Sequence, residues 1–281
     1  MHDEDEFTMN RSIPNTVLYV AAAILAWNPT QHLRAQTVPQ VGPTNGTLLI
    51  VGGGGRVQPM FEKFIELAGG KDAYLVYITT ASPGMPAEMR EKRADRVRAL
   101  GATNVTVMHT MDREVANSDA FVAPLREAQG VWFEGGRQWN LVDAYARTKV
   151  EELLREVLER DGVIAGTSAG ATIQGSYLAR GDSKNNQIMV GDHEEGFGYL
   201  KNVAIDQHHL ARNRHFDMFN ILKAYPHLLG LGIDEDTAAL VRGDTLAVIG
   251  ESYVAVYDGT FWSREGSRLK DLPDAESLFY L

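Results

Sequence analysis

Ser168 lies in the segment Gly-Thr-Ser-Ala-Gly at residues 166–170, directly after the apolar run Gly-Val-Ile-Ala at residues 162–165. A strand, a sharp turn that carries a serine and a following helix are typical of a nucleophile elbow, which lifts the hydroxyl out of the sheet. A base can then reach the hydroxyl, and N–H groups at the helix start can stabilise an oxyanion. The segment therefore favours Ser168 as a nucleophile, although a turn of small residues that packs a helix onto a strand would use the same residue types.

A serine nucleophile needs a nearby base, most often a histidine. The α/β-hydrolases place this histidine late in the chain, after the acid, but no histidine follows His227 in this sequence. His208 is the favoured base, because it comes soon after the apolar stretch at residues 202–205 and is predicted to lie at a strand end. The alternative is a histidine with a purely structural place in the core or on the surface.

Three adjacent carboxylates, at Asp234, Glu235 and Asp236, follow the short apolar run at residues 230–233. Adjacent carboxylates repel one another unless each finds a partner. An imidazole that pairs with Glu235 would relieve part of this repulsion, and the carboxylate would in turn orient the imidazole. A solvated acidic turn is the alternative interpretation.

Other kinds of site are weaker. The side chains of His193, Glu194, His208 and His209 could be assembled around a metal ion, but their spacing matches no zinc signature. The glycines at 52–55 lack the third glycine of a dinucleotide fingerprint, so we expect instead a backbone that passes close to another group. The chain has no cysteine, which excludes a cysteine nucleophile and disfavours amidotransferase activity.

From residue 47 onward, apolar strands alternate with helical stretches. This rhythm predicts a parallel sheet with helices on both faces. In such sheets, functional residues lie beyond the carboxyl ends of the strands, where Ser168 and the glycine runs are also predicted. The predicted strands are 47–51, 73–79, 104–109, 130–134 and 162–165, and the predicted helices are 58–67, 86–100, 118–128 and 139–160, the last one in one or two pieces.

The second half of the chain has a different character. Residues 182–200 are polar and contain glycine, which indicates a loop or hairpin, and residues 215–224 have a helical pattern. Short apolar runs separated by turn residues then suggest an antiparallel meander at one edge of the sheet. These runs are 230–234, 238–242, 245–250 and 253–258.

The composition limits the possible partners. The 281 residues carry a net charge of −10, which argues against nucleic acid as a partner because phosphate binding needs a basic face. The apolar run at residues 17–27 is too short to span a membrane but fits a signal peptide, with cleavage after Ala35. We therefore expect a signal peptide and leader over residues 1–45, one domain over residues 46–281, and a secreted or periplasmic protein, with a cytoplasmic one as the alternative.

Six motifs together resemble the S51 serine peptidases, the family that includes cyanophycinase and α-aspartyl dipeptidase, with the closer match to cyanophycinase. They occur in the family's order and at similar spacing over residues 46–260. The motifs are Gly-Gly-Gly at 52–54, Ile-Thr-Thr-Ala-Ser at 78–82, Phe-Glu-Gly-Gly-Arg-Gln at 133–138, Gly-Thr-Ser-Ala-Gly-Ala at 166–171, Asp-Gln-His at 206–208 with Arg212 and Arg214, and Gly-Ile-Asp-Glu-Asp-Thr-Ala at 232–238.

This resemblance implies an α/β three-layer sandwich of the class I glutamine-amidotransferase type, with a mostly parallel central sheet and antiparallel strands near the C-terminus. It implies a homodimer without cofactor or metal that hydrolyses aspartyl or β-aspartyl peptide bonds, with cyanophycin as one candidate substrate. The implied nucleophile, base and acid are Ser168, His208 and Glu235. The backbone N–H groups of Gly136 and Ala169 are the implied oxyanion donors, and Gln138, Asp206, Gln207, Arg212 and Arg214 the implied substrate-binding residues.

Two positions depart from the family pattern. Asp217 stands where the family has a third arginine, and Arg137 stands where an acid usually follows the two glycines. Both changes reverse a charge, which predicts altered recognition of a zwitterionic substrate. A serine dipeptidase that does not act on cyanophycin, and an inactive binding module on the same fold, remain the alternatives.

Overall fold

The computed structural model describes residues 41–259 and 278–280, so the predicted signal peptide lies outside the described residues. The helices are α1 (Gln58–Leu67), α2 (Ala87–Arg98), α3 (Arg113–Ala116), α4 (Asp119–Glu127), α5 (Gln138–Tyr145), α6 (Lys149–Glu159), α7 (Ala169–Thr172) and α8 (Met218–Ala224). The strands are β1 (Thr47–Val51), β2 (Tyr74–Ile78), β3 (Asn104–Met108), β4 (Gly130–Phe133), β5 (Val163–Thr167), β6 (Gly175–Tyr177), β7 (Leu200–Gln207), β8 (Leu229–Ile233), β9 (Thr237–Arg242), β10 (Thr245–Gly250), β11 (Val254–Asp258) and β12 (Leu278–Tyr280).

The larger of the two sheets in the described part of the chain has the strand order β10-β9-β1-β5-β4-β2-β3. Its strands β1, β5, β4, β2 and β3 are parallel, and β9 and β10 are antiparallel. Side chains of β1 alternate between two cores, because successive residues of a strand point to opposite faces. Leu48 and Ile50 pack into the core that includes Leu154 of α6, and Leu49 packs into the core that includes Phe61 of α1. The predicted α/β sandwich with a mostly parallel sheet is therefore confirmed.

The second sheet has the order β12-β11-β8-β7-β6. Strand β7 lies parallel to both β6 and β8, whereas β8 and β11 are antiparallel. Val203 and Ile205 of β7 contribute to the same core as α6, while Ala204 between them packs with Met218 and Ile221 of α8. The second sheet thus shares one core with the larger sheet and has α8 on its other face.

The predicted single meander is wrong. Only β9 and β10 form a hairpin at the edge of the larger sheet, and β8 and β11 belong to the second sheet. Asp236 adopts a positive φ of 55° between β8 and β9, which turns the chain from one sheet to the other. Apolar runs of this length indicate strands but do not specify which strands pair.

The helical stretch predicted over residues 139–160, in one or two pieces, forms two helices, α5 and α6. Arg147 between them has a φ of 60°, which an α-helix does not allow. The two helices can therefore follow different directions across the sheet, and α5 begins at Gln138, next to the paired glycines of the 133–138 motif.

The described end of the predicted leader, residues 41–45, contacts the rest of the domain. The N–H groups of Val41 and Gly42 donate to Asp244 Oδ1 at 2.8 and 3.1 Å, and Lys201 N donates to the Val41 carbonyl at 2.8 Å. Within the described ranges, no helix is long and apolar enough to span a membrane.

Candidate active site

Ser168 occupies the turn between β5 and α7 with φ 56° and ψ −112°. This backbone conformation is strained for a residue with a side chain and is typical of a nucleophile elbow. The neighbouring glycines are required by close packing, since a Cβ at Gly166 would lie 2.3 Å from the Gly170 carbonyl oxygen and one at Gly170 2.3 Å from the Phe133 carbonyl oxygen. The predicted elbow is therefore present in the structure.

Two hydrogen bonds link Ser168, His208 and Glu235. His208, at the end of β7, has its Nε2 atom 2.9 Å from Ser168 Oγ, and its Nδ1 atom is 2.5 Å from Glu235 Oε1. The backbone of the serine is held separately, because the Ser168 N–H donates to the Val51 carbonyl at 3.0 Å. The arrangement can pass the serine proton to an imidazole that a carboxylate orients, which is the chemistry of an activated nucleophile.

The end of β1 ties together the turns that carry these three side chains. The carbonyls of Val51, Gly52 and Gly53 accept hydrogen bonds, in that order, from the N–H groups of Ser168, His208 and Asp236, at 3.0, 2.9 and 2.9 Å. Three consecutive carbonyls therefore fix the relative positions of the serine, the histidine and the turn that carries Glu235.

Gly53 explains the close approach that the glycine run predicted. Its φ is 124°, and a Cβ at this position would lie 2.2 Å from Cε1 of the His208 ring. Only glycine adopts this φ without strain, and only glycine leaves room for the imidazole. The backbone of the glycine run thus forms one wall of the histidine's site.

The three adjacent carboxylates have different partners, which relieves their repulsion. Asp234 Oδ1 accepts the N–H groups of Leu210 and Ala211, both at 2.9 Å, and its Oδ2 accepts the Ser252 hydroxyl at 2.6 Å. Although burial alone would raise the pKa of Asp234, these hydrogen bonds lower it below its usual value. Asp236 Oδ1 accepts the Arg56 N–H at 2.8 Å. Glu235, the middle carboxylate of the three, is the one that contacts the His208 imidazole.

Burial lowers the pKa of His208 below its ordinary value. The hydrogen bond to Glu235 opposes this shift, while the positive charges of Arg212 and Arg214 add to it. The imidazole is therefore mostly neutral at neutral pH, which is the form that can accept a proton.

The two predicted oxyanion donors, Gly136 and Ala169, belong to segments next to Ser168. Ala169 begins α7, and a Cβ on Gly135, next to Gly136, would lie 3.8 Å from Ser168 Oγ. Neither the Gly136 nor the Ala169 N–H donates a hydrogen bond to any other described residue. Both groups are therefore free to bind a substrate oxygen.

Four of the five residues predicted to bind substrate are buried and have partners within the protein. Gln138 Nε2 donates to the carbonyls of Ala179 and Arg180 at 2.6 and 3.0 Å. Arg214, whose side chain is 3% exposed, donates from Nη1 to the carbonyl and the Oε1 atom of Gln207. Their predicted contact with substrate stays a prediction, since these polar groups already have partners inside the protein.

Arg212 and Asp206 represent the two extremes of exposure in this group. The Arg212 side chain is 49% exposed and its Nε lies 4.0 Å from Glu235 Oε1. The Asp206 side chain is 1% exposed, and both of its carboxylate oxygens accept hydrogen bonds from Arg180. Of the five predicted residues, Arg212 is thus the one with an exposed side chain.

Sequence reasoning missed two arginines near the site, Arg180 and Arg96. Arg96 Nη2 donates at 2.6 Å to Glu134 Oε2, which also accepts the Tyr77 hydroxyl, and so holds the residue before Gly135. A single arginine within a loop or on a charged helix gives no local signal of such a role, because the partners are distant in sequence. No group of three or more His, Asp or Glu suited to a metal ion occurs among the described residues.

The wall formed by Gly53 leads to a first prediction. Gly53→Ala should slow labelling of Ser168 by a fluorophosphonate about 100-fold or more, because the added methyl displaces the His208 ring from the serine. Gly55→Ala is the matched control, since a Cβ at Gly55 meets no atom within 4 Å. Labelling rates of the folded variants, measured by mass spectrometry, test this; equal rates for wild type and Gly53→Ala would contradict it.

The sequence is similar to that of a known peptidase family. The model of Peptidase family S51 matches residues 48–249. A cyanophycinase from Nostoc sp. (strain PCC 7120 / SAG 25.82 / UTEX 2576) is 32% identical over 246 residues, which cover 83% of this chain and 81% of that protein. A cyanophycinase from Thermosynechococcus vestitus (strain NIES-2133 / IAM M-273 / BP-1) is 32% identical over 232 residues, which cover 80% of this chain and 71% of that protein.

Two solved structures have the same fold. A peptidase from an acI-B1 Actinobacterium superposes with a TM-score of 0.62 at 25% identity, covering 76% of this chain and 91% of that chain. A putative peptidase E protein from Listeria monocytogenes EGD-e has a TM-score of 0.54 at 18% identity, covering 74% of this chain and 100% of that chain. The family match over residues 48–249, with relatives 32% identical over most of both chains, establishes that this chain belongs to peptidase family S51.

Proposed function

We propose that this protein is a serine peptidase that hydrolyses aspartyl or β-aspartyl peptide bonds. The observation that carries the proposal is the hydrogen-bonded series Ser168–His208–Glu235, in which the two imidazole nitrogens have different partners. Cyanophycinase relatives at 32% identity support the class of substrate. An inactive binding module would have no need for a strained serine that is aligned with a neutral histidine.

The proposed reaction is acyl transfer in two steps. Ser168 Oγ attacks the carbonyl carbon while His208 Nε2 takes the hydroxyl proton, and Glu235 stabilises the resulting imidazolium. The N–H groups of Gly136 and Ala169 bind the oxyanion. The C–N bond then breaks as the imidazolium gives its proton to the leaving amine, and a water molecule, activated by the same histidine, releases the acyl group and restores the serine.

The second prediction tests the nucleophile. Ser168→Ala should lower kcat on a β-aspartyl dipeptide about 1000-fold or more, because a methyl group fits the turn but cannot attack a carbonyl. Unchanged circular dichroism and an unchanged Tm would establish that the variant folds. Wild-type activity in this variant would rule out the proposed mechanism, and a wild-type protein that binds the peptides without cleaving them would favour the binding module.

The third prediction concerns pH. The positive charge of Arg212 lowers the pKa of His208, so Arg212→Gln should raise that pKa and move the acidic limb of kcat/KM to higher pH. The shift should shrink at high salt because the guanidinium is exposed and screened. Arg212→Lys keeps the positive charge, so the acidic limb of its kcat/KM profile should stay in place. It loses the paired N–H donors of the guanidinium, so KM should rise if Arg212 binds a substrate carboxylate.

The control for this profile is Arg147→Gln, at an arginine that is 82% exposed and pairs with Glu195. Its pH profile and KM should match those of the wild type. An acidic limb that does not move in Arg212→Gln at low salt would contradict the assignment of that limb to His208.

Export and dimer formation are also part of the proposal. The support for export is the apolar run at residues 17–27 with Ala35 after it, and the support for a dimer is the family resemblance. The fourth prediction is a mature protein that begins near Gln36, found by N-terminal sequencing of a periplasmic or secreted fraction. An uncleaved cytoplasmic chain would contradict export, and a monomeric mass in light scattering would contradict the dimer.

A further inference from the structure

Arg180 is a fully buried arginine held by two carboxylates. Its Nε and Nη2 atoms donate to the two oxygens of Asp206 at 2.7 and 2.9 Å, which is a bidentate pair. Nη2 also donates to Asp217 Oδ2 at 2.5 Å, and Nη1 donates to the Asn186 carbonyl at 3.1 Å. The side chain is 0% exposed, so the two acids and one carbonyl form a site shaped for a planar guanidinium.

This guanidinium site adjoins the active site and reaches the surface. Asp206 precedes Gln207 and His208 at the end of β7, and Asp217 lies on the segment that follows His208 and carries Arg212. The Asp206 side chain is 1% exposed, whereas that of Asp217 is 34% exposed. The site is therefore buried at its Asp206 end and open at its Asp217 end, with Arg180 filling the space between.

We propose that Arg180 determines substrate specificity by occupying a guanidinium site that the arginine side chain of a substrate would otherwise use. This inference rests on the proposed function. Both oxygens of Asp206 and one of Asp217 already accept hydrogen bonds from Arg180, and Arg214 Nη1 lies 3.6 Å from Asp206 Oδ1. A substrate arginine would therefore meet two carboxylates whose charge two arginines of the protein already balance. The enzyme therefore acts on aspartyl or β-aspartyl peptides whose other residue carries no guanidinium.

The same geometry limits what Asp217, whose reversed charge predicts altered substrate recognition, can do by itself. An arginine at position 217 would meet the guanidinium of Arg180 instead of a free acid, and the two positive charges would compete for Asp206. A change of substrate preference thus requires the removal of Arg180, and substitution of Asp217 alone is not sufficient.

The first part of the test measures binding and does not depend on activity. Arg180→Ala should gain affinity for methylguanidinium, seen as a rise in Tm of about 2–4 °C at concentrations well above Kd. Methylammonium is the control ligand, because it has the positive charge without the planar pair of N–H donors of a guanidinium. Arg147→Ala is the control protein. A Tm of Arg180→Ala that responds equally to both ligands, or to neither, would overturn the proposal.

The second part measures specificity with β-aspartyl-arginine and β-aspartyl-leucine. The kcat/KM for β-aspartyl-arginine divided by that for β-aspartyl-leucine should be low in the wild type. This ratio should rise about 10-fold or more in Arg180→Ala, because the substrate arginine gains one matched charge pair. An unchanged ratio would overturn the role in specificity. If Arg180→Ala does not fold, Arg180→Ala with Asp217→Asn leaves a single carboxylate with less repulsion, and the same two measurements apply.

The two proposals can fail separately. A wild-type protein that cleaves neither dipeptide would overturn the proposed function, while the methylguanidinium measurement would still decide whether Arg180 fills a guanidinium site. A wild-type protein that prefers β-aspartyl-arginine would overturn the inference about Arg180 and leave the peptidase function in place.

Discussion

Three consecutive carbonyls at the end of β1 hold the candidate active site together. Val51, Gly52 and Gly53 accept the N–H groups of Ser168, His208 and Asp236, each at 2.9 or 3.0 Å. These donors come from three turns that are far apart in sequence, so one short stretch of backbone sets their mutual distances. The hydrogen bonds between the serine, the histidine and the glutamate depend on this arrangement, since a shift of about 1 Å in such a series is enough to disable it.

The sequence predicted the parts of this site that have a local signature. The small residues around Ser168, the strand end before His208 and the apolar run before Glu235 each follow from patterns of a few residues, and the structure brings all three side chains together. The strand–helix alternation was equally readable, because each unit repeats one simple period. The glycine run also predicts a close backbone approach, which the structure has at Gly53, but the pattern does not identify the neighbour as His208.

The features that the sequence did not predict depend on contacts between distant segments. Nothing near Arg180 indicates that it pairs with Asp206 and Asp217, and Gln138 and Arg214 gave no sign that their polar groups would be used inside the protein. The division of the late strands between two sheets is of the same kind, since apolar runs leave the choice of partner open. Long-range pairing of charges and strands is decided by the whole fold, and one sequence contains little trace of it.

The two sheets contribute different members of the proposed catalytic triad. Ser168 follows a strand of the larger sheet, His208 follows a strand of the second sheet, and Glu235 lies in the turn that connects the two. A chain in which only one sheet has formed therefore has an isolated serine or an isolated imidazole, and neither can hydrolyse a peptide bond alone. The proposed hydrolysis therefore depends on both sheets being formed, so that a copy of the chain with only one sheet folded would lack it.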